Sequence, residues 1–401
     1  MTTVSDSNIH EPAAMRAAMV NSLRGQGAIT SEPVAAAFAA VPRHRFAPDA
    51  TLEASYAPNG TVVAKRDEHG LEISVMSAAH LQAVMLEQAQ IEPGMKVLEI
   101  GSGGYNAALI QEIVGPQGSV TTADIDKDIT DRASACLTDA GYDRVKVVLA
   151  DGEAGVPDGA PYDRILVTAA AWDIPPAWIS DLTEQGRIVV PLTVCGLTRS
   201  VAFDREGTGL LSRSYCLARF VPMQGEGAAE ERKVLLREGI ALQTDDPRVV
   251  LNTTALDQAL NEPRLERWSG AAYDLPDELE LYLTLNLPEP ARLHAAQHVI
   301  DQGVVAAPAL LGVPALVSEG SIAYRTRREN EDTGGLESGV IAHGPQAESL
   351  AEHYTELLRT WARDHRRRGA ATFRYLPTPA PTPLPQGTVP KRHGTVTVSW
   401  N

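Results

Sequence analysis

The chain has 401 residues, 44% of them apolar and 21% charged, with a formal net charge of −16. That length exceeds what one hydrophobic core organises, so two domains are expected, and the composition is that of an ordinary globular protein. The acidic balance argues against a nucleic-acid partner, and the lack of a long apolar run argues against a membrane partner. The three scattered cysteines (Cys136, Cys195, Cys216) have neither metal nor disulfide spacing and fit a reducing cytoplasm.

Residues 1–10 are polar and read as a frayed terminus. Pro12–Gly25 reads as a helix with Met15, Met19, Val20 and Leu23 on one face, and Glu32–Val41 as a second helix stopped by Pro42. PRHRFAP, Pro42–Pro48, is expected to lack regular structure. Tyr56–Gly70 reads as a polar loop turning at Pro58-Asn59-Gly60. Ser77–Gln90 returns to helical spacing, with Leu81, Val84, Met85 and Ala89 on its buried face.

From Lys96 onward strands at 96–100, 119–124, 145–149, 162–168 and 186–191 are separated by helices at 106–114, 128–140 and 175–184. The fold class expected from this alternation is α/β, a doubly wound parallel sheet. Ser200–Phe203 and Leu210–Cys216 read as an antiparallel hairpin closing its edge. A boundary is expected in the small, polar Gln224–Glu230, which divides the chain into 1–227 and an accessory α+β unit, 228–401. In the second unit Leu275–Leu287 is dense in leucine and Gly303–Val317 is apolar. A polar turn at Asn330–Gly335 precedes a strand, Ser338–Ala342. Gln346–Arg363 is an amphipathic helix, 377–390 a proline-rich linker, and Thr395–Trp400 a terminal strand. Five arginines between Arg359 and Arg368 read either as cations ending a helix or as a dock for an acidic peptide.

The chemistry concentrates in KVLEIGSGGYN, Lys96–Asn106. An apolar strand runs into Gly101, Ser102, Gly103 and Gly104 and then a helix start, which makes a nucleotide cradle. Asn106 stands where a dinucleotide fingerprint needs its third glycine, and the Glu99 carboxylate suits a ligand with positive charge better than a pyrophosphate. S-adenosylmethionine has such a charge. Asp124 closes the second strand and is placed for ribose hydroxyls, with Ile125 beside it. Asp151-Gly152 follows the third strand and suits an adenine amino group, and Thr168 closes the fourth. Glu99 has the alternative of capping its own loop, and Tyr105 either covers the ligand or packs under the loop. Trp172 and Trp178 read as core or lid, and Asp163 as structural.

Five segments, VPRHRFAP, MSAAHLQA, VLEIGSGGY, ADG and YDRILVTAAAWDIPPA, stand in order within residues 12–225. On these the chain resembles the protein-L-isoaspartate O-methyltransferase family. The resemblance implies a Rossmann-like S-adenosylmethionine-dependent methyltransferase sheet behind an N-terminal helical segment. It also implies a peptide carboxylate as substrate and places Ser77 beside that carboxyl and the transferred methyl. Ser77 could equally cap its helix, and His80, one turn on, faces either the site or the core. The glycine loop is one residue shorter than the family's, Ala79 replaces a proline, and the loop from Val41 to Ser77 is longer. About 170 residues are added at the C-terminus. That last feature is similar to a subgroup linked to lanthipeptide and other ribosomal-peptide biosynthesis, whose members methylate an aspartate that then closes to a succinimide. Attack by a carboxylate on a sulfonium methyl needs alignment and dehydration but no base, since the acid is ionised at neutral pH. The expectation is therefore O-methylation of an aspartyl or isoaspartyl carboxylate in a modified peptide. General isoaspartate repair, a small-molecule methyltransferase and a non-catalytic peptide binder are the rivals.

Overall fold

The computed structural model describes residues 11–229, 232–244, 249–274, 276–306, 312–330, 334–379 and 383–400. The expected frayed terminus at 1–10 and parts of the 303–317, 330–335 and 377–390 stretches lie outside these residues. Two helices, α1 (Pro12–Gly25) and α2 (Glu32–Ala40), open the fold as expected, each with proline in its first turn, where backbone N–H groups have no helical acceptor to lose. PRHRFAP is more regular than expected, because Arg43–Phe46 forms a 3-10 turn, and α3 (Leu52–Tyr56) follows. The supposed polar loop is also ordered. It contains an antiparallel hairpin, β1 (Val62–Arg66) and β2 (Glu72–Met76), closed by Asp67, whose Oδ1 accepts the His69 and Leu71 N–H groups at 2.9 and 2.8 Å. Helix α4 (Ala79–Ala89) starts after Ala78, so Ser77 does not cap it.

The doubly wound sheet is present. Its elements are β3 (Lys96–Ile100), α5 (Tyr105–Val114), β4 (Ser119–Asp124), α6 (Lys127–Ala140), β5 (Lys146–Leu149), β6 (Tyr162–Val167), α7 (Pro176–Ser180) and β7 (Leu182–Val194), followed by β8 (Leu197–Glu206) and β9 (Gly209–Leu217). Strands β5, β4, β3, β6 and β7 lie side by side and parallel, and β8 and β9 add on antiparallel. The chain winds one way from β3 to β5 and the other way from β6, so the carboxyl ends of β3 and β6 flank the switch point where open α/β sheets bind ligands. Asp163 is structural as expected, accepting the Lys96 N–H at 2.8 Å.

The second unit is a seven-stranded antiparallel sheet in the order β10-β11-β13-β14-β15-β16-β12. Its strands are β10 (Arg232–Arg237), β11 (Ile240–Thr244), β12 (Leu265–Ala272), β13 (Pro290–Ala295), β14 (Val313–Ser318), β15 (Ser321–Asn330) and β16 (Gly335–His343), accompanied by α8 (Thr253–Ala259), α9 (Pro276–Asn286), α10 (Gln297–Asp301) and α11 (Ala347–Thr360). The leucine-dense stretch is α9, and it serves two cores. Leu281 packs with Phe373 of the first sheet, and Leu279 and Leu283 pack with Tyr354 and Trp361 of the second.

One expectation about the boundary needs correction. The unit beginning at 228 does not keep the rest of the chain. Strands β17 (Thr372–Leu376), β18 (Thr388–Pro390) and β19 (Thr395–Ser399) return to the first sheet, with Tyr375 opposite Leu210 of β9. The basic run is also tied down within the chain. Arg359 donates to the Ser269 carbonyl, Arg363 and Arg368 bond to Asp364, and Arg366 pairs with Asp274 at 2.7 Å. These contacts favour the helix-terminal reading over the peptide dock.

Candidate functional site

A pocket opens over the carboxyl ends of β3, β4 and β6. Its floor is the loop after β3. Gly101 has φ +97°, and a methyl group there would collide with Thr168 Oγ1, so the loop and the end of β6 approach as closely as they do only because position 101 lacks a side chain. Thr168 then clamps the loop, its hydroxyl donating to the Gly101 and Ile100 carbonyls at 2.8 and 3.1 Å. A methyl on Gly103 would meet no atom, because that position faces open pocket.

Asp124, at the end of β4, accepts the Ser102 N–H through Oδ2 at 2.8 Å and the Asp126 N–H through Oδ1 at 2.9 Å. Burial pushes its pKa up, partly offset by these backbone donors. The Ser102 side chain is only 1% exposed, yet its hydroxyl has no partner within the protein, and it lines the pocket. Ile125 and Gly152 complete the part of the wall that was read from the sequence. A methyl on Gly152 would sit 2.6 Å from Ile100 Cγ2, so only glycine fits there.

Five expected residues lie elsewhere. Glu99 is fully buried beneath the floor, accepting hydrogen bonds from Asn106 Nδ2 at 2.8 Å and Thr122 Oγ1 at 2.6 Å. Its carboxylate therefore does not face the ligand as expected. Desolvation pushes its pKa up to about 7 against the pull of those two donors. Tyr105 packs under the loop against Phe38 and Phe46 rather than over the ligand. Asp151 is absent from the wall as well. It caps its own turn through the Glu153 N–H at 3.0 Å and holds the Glu226 N–H at 2.9 Å, so it works as a tether between loops and its carboxylate is not turned to an adenine. Ser77 and His80 are half-buried and neither lines the pocket, although Met76, next to Ser77, does.

The structure adds residues that the sequence reading missed. Ala64 and Ile73–Met76 of the β1–β2 hairpin roof the pocket, Val221–Gln224 wall it, and Arg132 of α6 reaches it. The hairpin is anchored by Lys65, which pairs with Asp126 at 2.6 Å and Asp128 at 2.8 Å. Arg43, fully buried, organises the approach to Ser77. It donates to the carbonyls of Ser55 (2.8 Å) and Ser77 (2.7 Å) and to Gln82 Oε1 (2.6 Å), with its guanidinium 4.7 Å from the Tyr105 ring centroid. The available signal was the pair of arginines in PRHRF, unusual beside two apolar helices. Of the two tryptophans, Trp178 is core and bonds the Gly152 carbonyl at 2.7 Å, while Trp172 is half-buried beneath Lys391. Among the described residues no cluster of metal-ligating side chains occurs, and no helix is long and apolar enough to cross a membrane.

Residues 14–228 match the family model for protein-L-isoaspartate(D-aspartate) O-methyltransferase. The chain is similar to the protein-L-isoaspartate O-methyltransferase of Methanopyrus kandleri, with 36% identity over 219 residues, 54% of this chain and 94% of that protein. It is also similar to the protein of the same name from Hyperthermus butylicus, with 39% identity over 221 residues, 53% of this chain and 89% of that one. A solved structure named protein-L-isoaspartate O-methyltransferase superposes with a TM-score of 0.53 at 22% identity, covering 96% of this chain and 99% of its own. That likeness is one of fold.

Proposed function

Since the chain belongs to the protein-L-isoaspartate(D-aspartate) O-methyltransferase family, a family of S-adenosylmethionine-dependent protein carboxyl O-methyltransferases, we propose that the pocket over β3, β4 and β6 holds that methyl donor and serves a polypeptide carboxylate. The observation that carries the reading is Ser102. Its buried hydroxyl lacks any protein partner, and it sits on a glycine floor beside Asp124 inside the family-matching segment. A buried hydroxyl without a partner is costly, and a ligand that bonds it removes the cost.

The residues present fit the donor. Gly101–Gly103 let it approach the backbone. Asp124, already oriented by two N–H groups, has lone pairs left for ribose hydroxyls. When bound, S-adenosylmethionine supplies a sulfonium-activated methyl group. The chain contributes alignment and exclusion of water. The β1–β2 hairpin covers the pocket, and Arg43 fixes the Ser77 backbone so that its hydroxyl can orient the incoming carboxylate at the edge formed by Met76. His80, in the first turn of α4, has its N–H held by the Pro58 carbonyl at 2.9 Å.

The substrate proposed is an isoaspartyl or aspartyl residue of a polypeptide, as the names of the relatives suggest. The alternative is a narrower reading in which the second sheet, lying beyond the family-matching residues, helps recognise a constrained ribosomally made peptide. Two incubations followed by mass spectrometry separate these. Gain of one CH2 unit on an arbitrary isoaspartyl peptide supports repair-type chemistry. Gain only on a modified peptide with plain aspartate supports the narrower reading, and gain on neither refutes both. Ser77→Ala is expected to lower kcat by about 10²-fold, with affinity for the donor product S-adenosylhomocysteine retained. Unchanged turnover removes Ser77 from the site.

A further inference from the structure

We propose that the turn at Lys391–His393, contributed from far beyond the family-matching residues, is a positioning element of the methyl-donor pocket. The turn joins β18 to β19 and is closed by the Lys391 N–H donating to the Gly394 carbonyl at 2.9 Å. Its side chains reach three loops. Arg392 donates to the carbonyls of Glu226 at 2.5 Å and Ala228 at 3.1 Å. His393 Nε2 lies 2.7 Å from Glu153 Oε1, and because a carboxylate only accepts, the ring nitrogen donates. The His393 N–H donates to Asp173 Oδ2 at 2.5 Å, and Asp173 Oδ1 accepts the Ile174 N–H at 2.7 Å. Lys391 Nζ donates to the Thr193 carbonyl at 2.8 Å and stands 4.4 Å from the Trp172 ring centroid.

Those loops carry much of one pocket wall. The first bears Gly152, the second follows Thr168 and Ala169, and the third runs on from Val221, Pro222, Met223 and Gln224. The loops also meet directly, but pairwise. Asp151 ties the first to the third through the Glu226 N–H, and Trp178 Nε1 donates to the Gly152 carbonyl. At the Ala170–Pro222 bridge the Ala170 N–H donates to the Val221 carbonyl and the Met223 N–H to the Ala170 carbonyl, while Tyr375 holds Asp173 and Ile174 of the second. The 391–393 turn touches all of them at once. None of its three residues lines the pocket, so it acts through Glu153, Asp173 and the 226–228 carbonyls. Loops fixed before the ligand arrives need not be ordered on binding, and the saved entropy appears as affinity.

This rests on the pocket being the methyl-donor site, and the experiment separates the two ideas. The full-length wild type is titrated with S-adenosylhomocysteine by calorimetry, beside Arg392→Ala, His393→Ala and His393→Gln. If the wild type binds nothing, the pocket reading fails. If the wild type binds, Arg392→Ala and His393→Ala are each expected to bind about tenfold more weakly, with KM for S-adenosylmethionine rising in step, KM for an isoaspartyl peptide unchanged, and His393→Gln restored through its amide donor. Affinity within about twofold of wild type in both alanine variants overturns the positioning role. So does a parallel rise in both KM values, which marks general loosening. Should Arg392→Ala fail to fold, Arg392→Lys, keeping a donor for one of the two carbonyls, is expected to bind with intermediate affinity, and wild-type affinity there overturns the role equally.

Discussion

Glu99 sets up the sharpest prediction about the floor of the site. It is fully buried with a pKa pushed up to about 7, against an ordinary value of 4.5. Below the unfolded pKa both states hold the proton, so the group's contribution to stability is fully present and does not change with pH. Between pH 4.5 and 7 the unfolded chain ionises while the folded one keeps its proton, so stability is lost as pH rises through the folded pKa. At about 1.4 kcal/mol per unit the loss reaches roughly 3 kcal/mol and then levels off. In Glu99→Gln the amide oxygen still accepts from Asn106 Nδ2, and the amide nitrogen donates to Thr122 Oγ1 once that hydroxyl rotates. The variant has no proton to lose. Urea unfolding of both proteins at half-unit steps from pH 4 to pH 8.5, followed by tryptophan fluorescence, gives the difference in stability, in which other titrating groups cancel. The difference is expected to rise in favour of the variant by roughly 3 kcal/mol across pH 4.5–7 and to be flat on either side. A difference independent of pH would mean that Glu99 is already ionised in the fold and that desolvation does not dominate.

Two further substitutions test the supports of the site. Gly101→Ala puts a side chain at φ +97° against Thr168 Oγ1, so thermal melting is expected to reveal a loss of about 1–3 kcal/mol, and calorimetry a fall of at least about tenfold in S-adenosylhomocysteine affinity; a variant matching wild type in both would show that the loop relaxes freely. Arg43→Met strands the Ser55 and Ser77 carbonyls and the Gln82 amide without their donor, although it also removes a buried cation. The net expectation is roughly 2–3 kcal/mol less stability in urea, with kcat falling more than donor affinity because Ser77 is released. Undiminished kcat would detach Arg43 from the site.

What could be read from the chain, and what could not, follows from range and burial. Strand β3 shows itself through Val97, Leu98 and Ile100, a short apolar run buried on both faces, and Gly101 and Gly152 are required by backbone approaches that no other residue allows. The β1–β2 hairpin was missed because its residues are half-buried against a pocket instead of a core, which blurs the alternation in VVAKR and EISVM. Glu99 was placed at the right strand end, but its orientation is set by Asn106, across the glycine loop in α5, and Thr122 on the neighbouring strand, partners that no local pattern announces. The return of β17–β19 to β9 is a pairing of remote segments, as is the tether from Arg392 to the 226–228 turn. Composition marks 377–390 as a linker without saying where it leads.

The central claim is that the pocket over β3, β4 and β6 captures a cationic methyl donor with Asp124 as a principal anchor. Calorimetric titration of S-adenosylmethionine into the wild type and Asp124→Ala tests it most directly. Saturable one-site binding that weakens by about tenfold or more in the variant, measured at a temperature well below the unfolding midpoint of either protein, is the predicted result. Absence of binding to the wild type, or equal affinity in the two proteins, contradicts it.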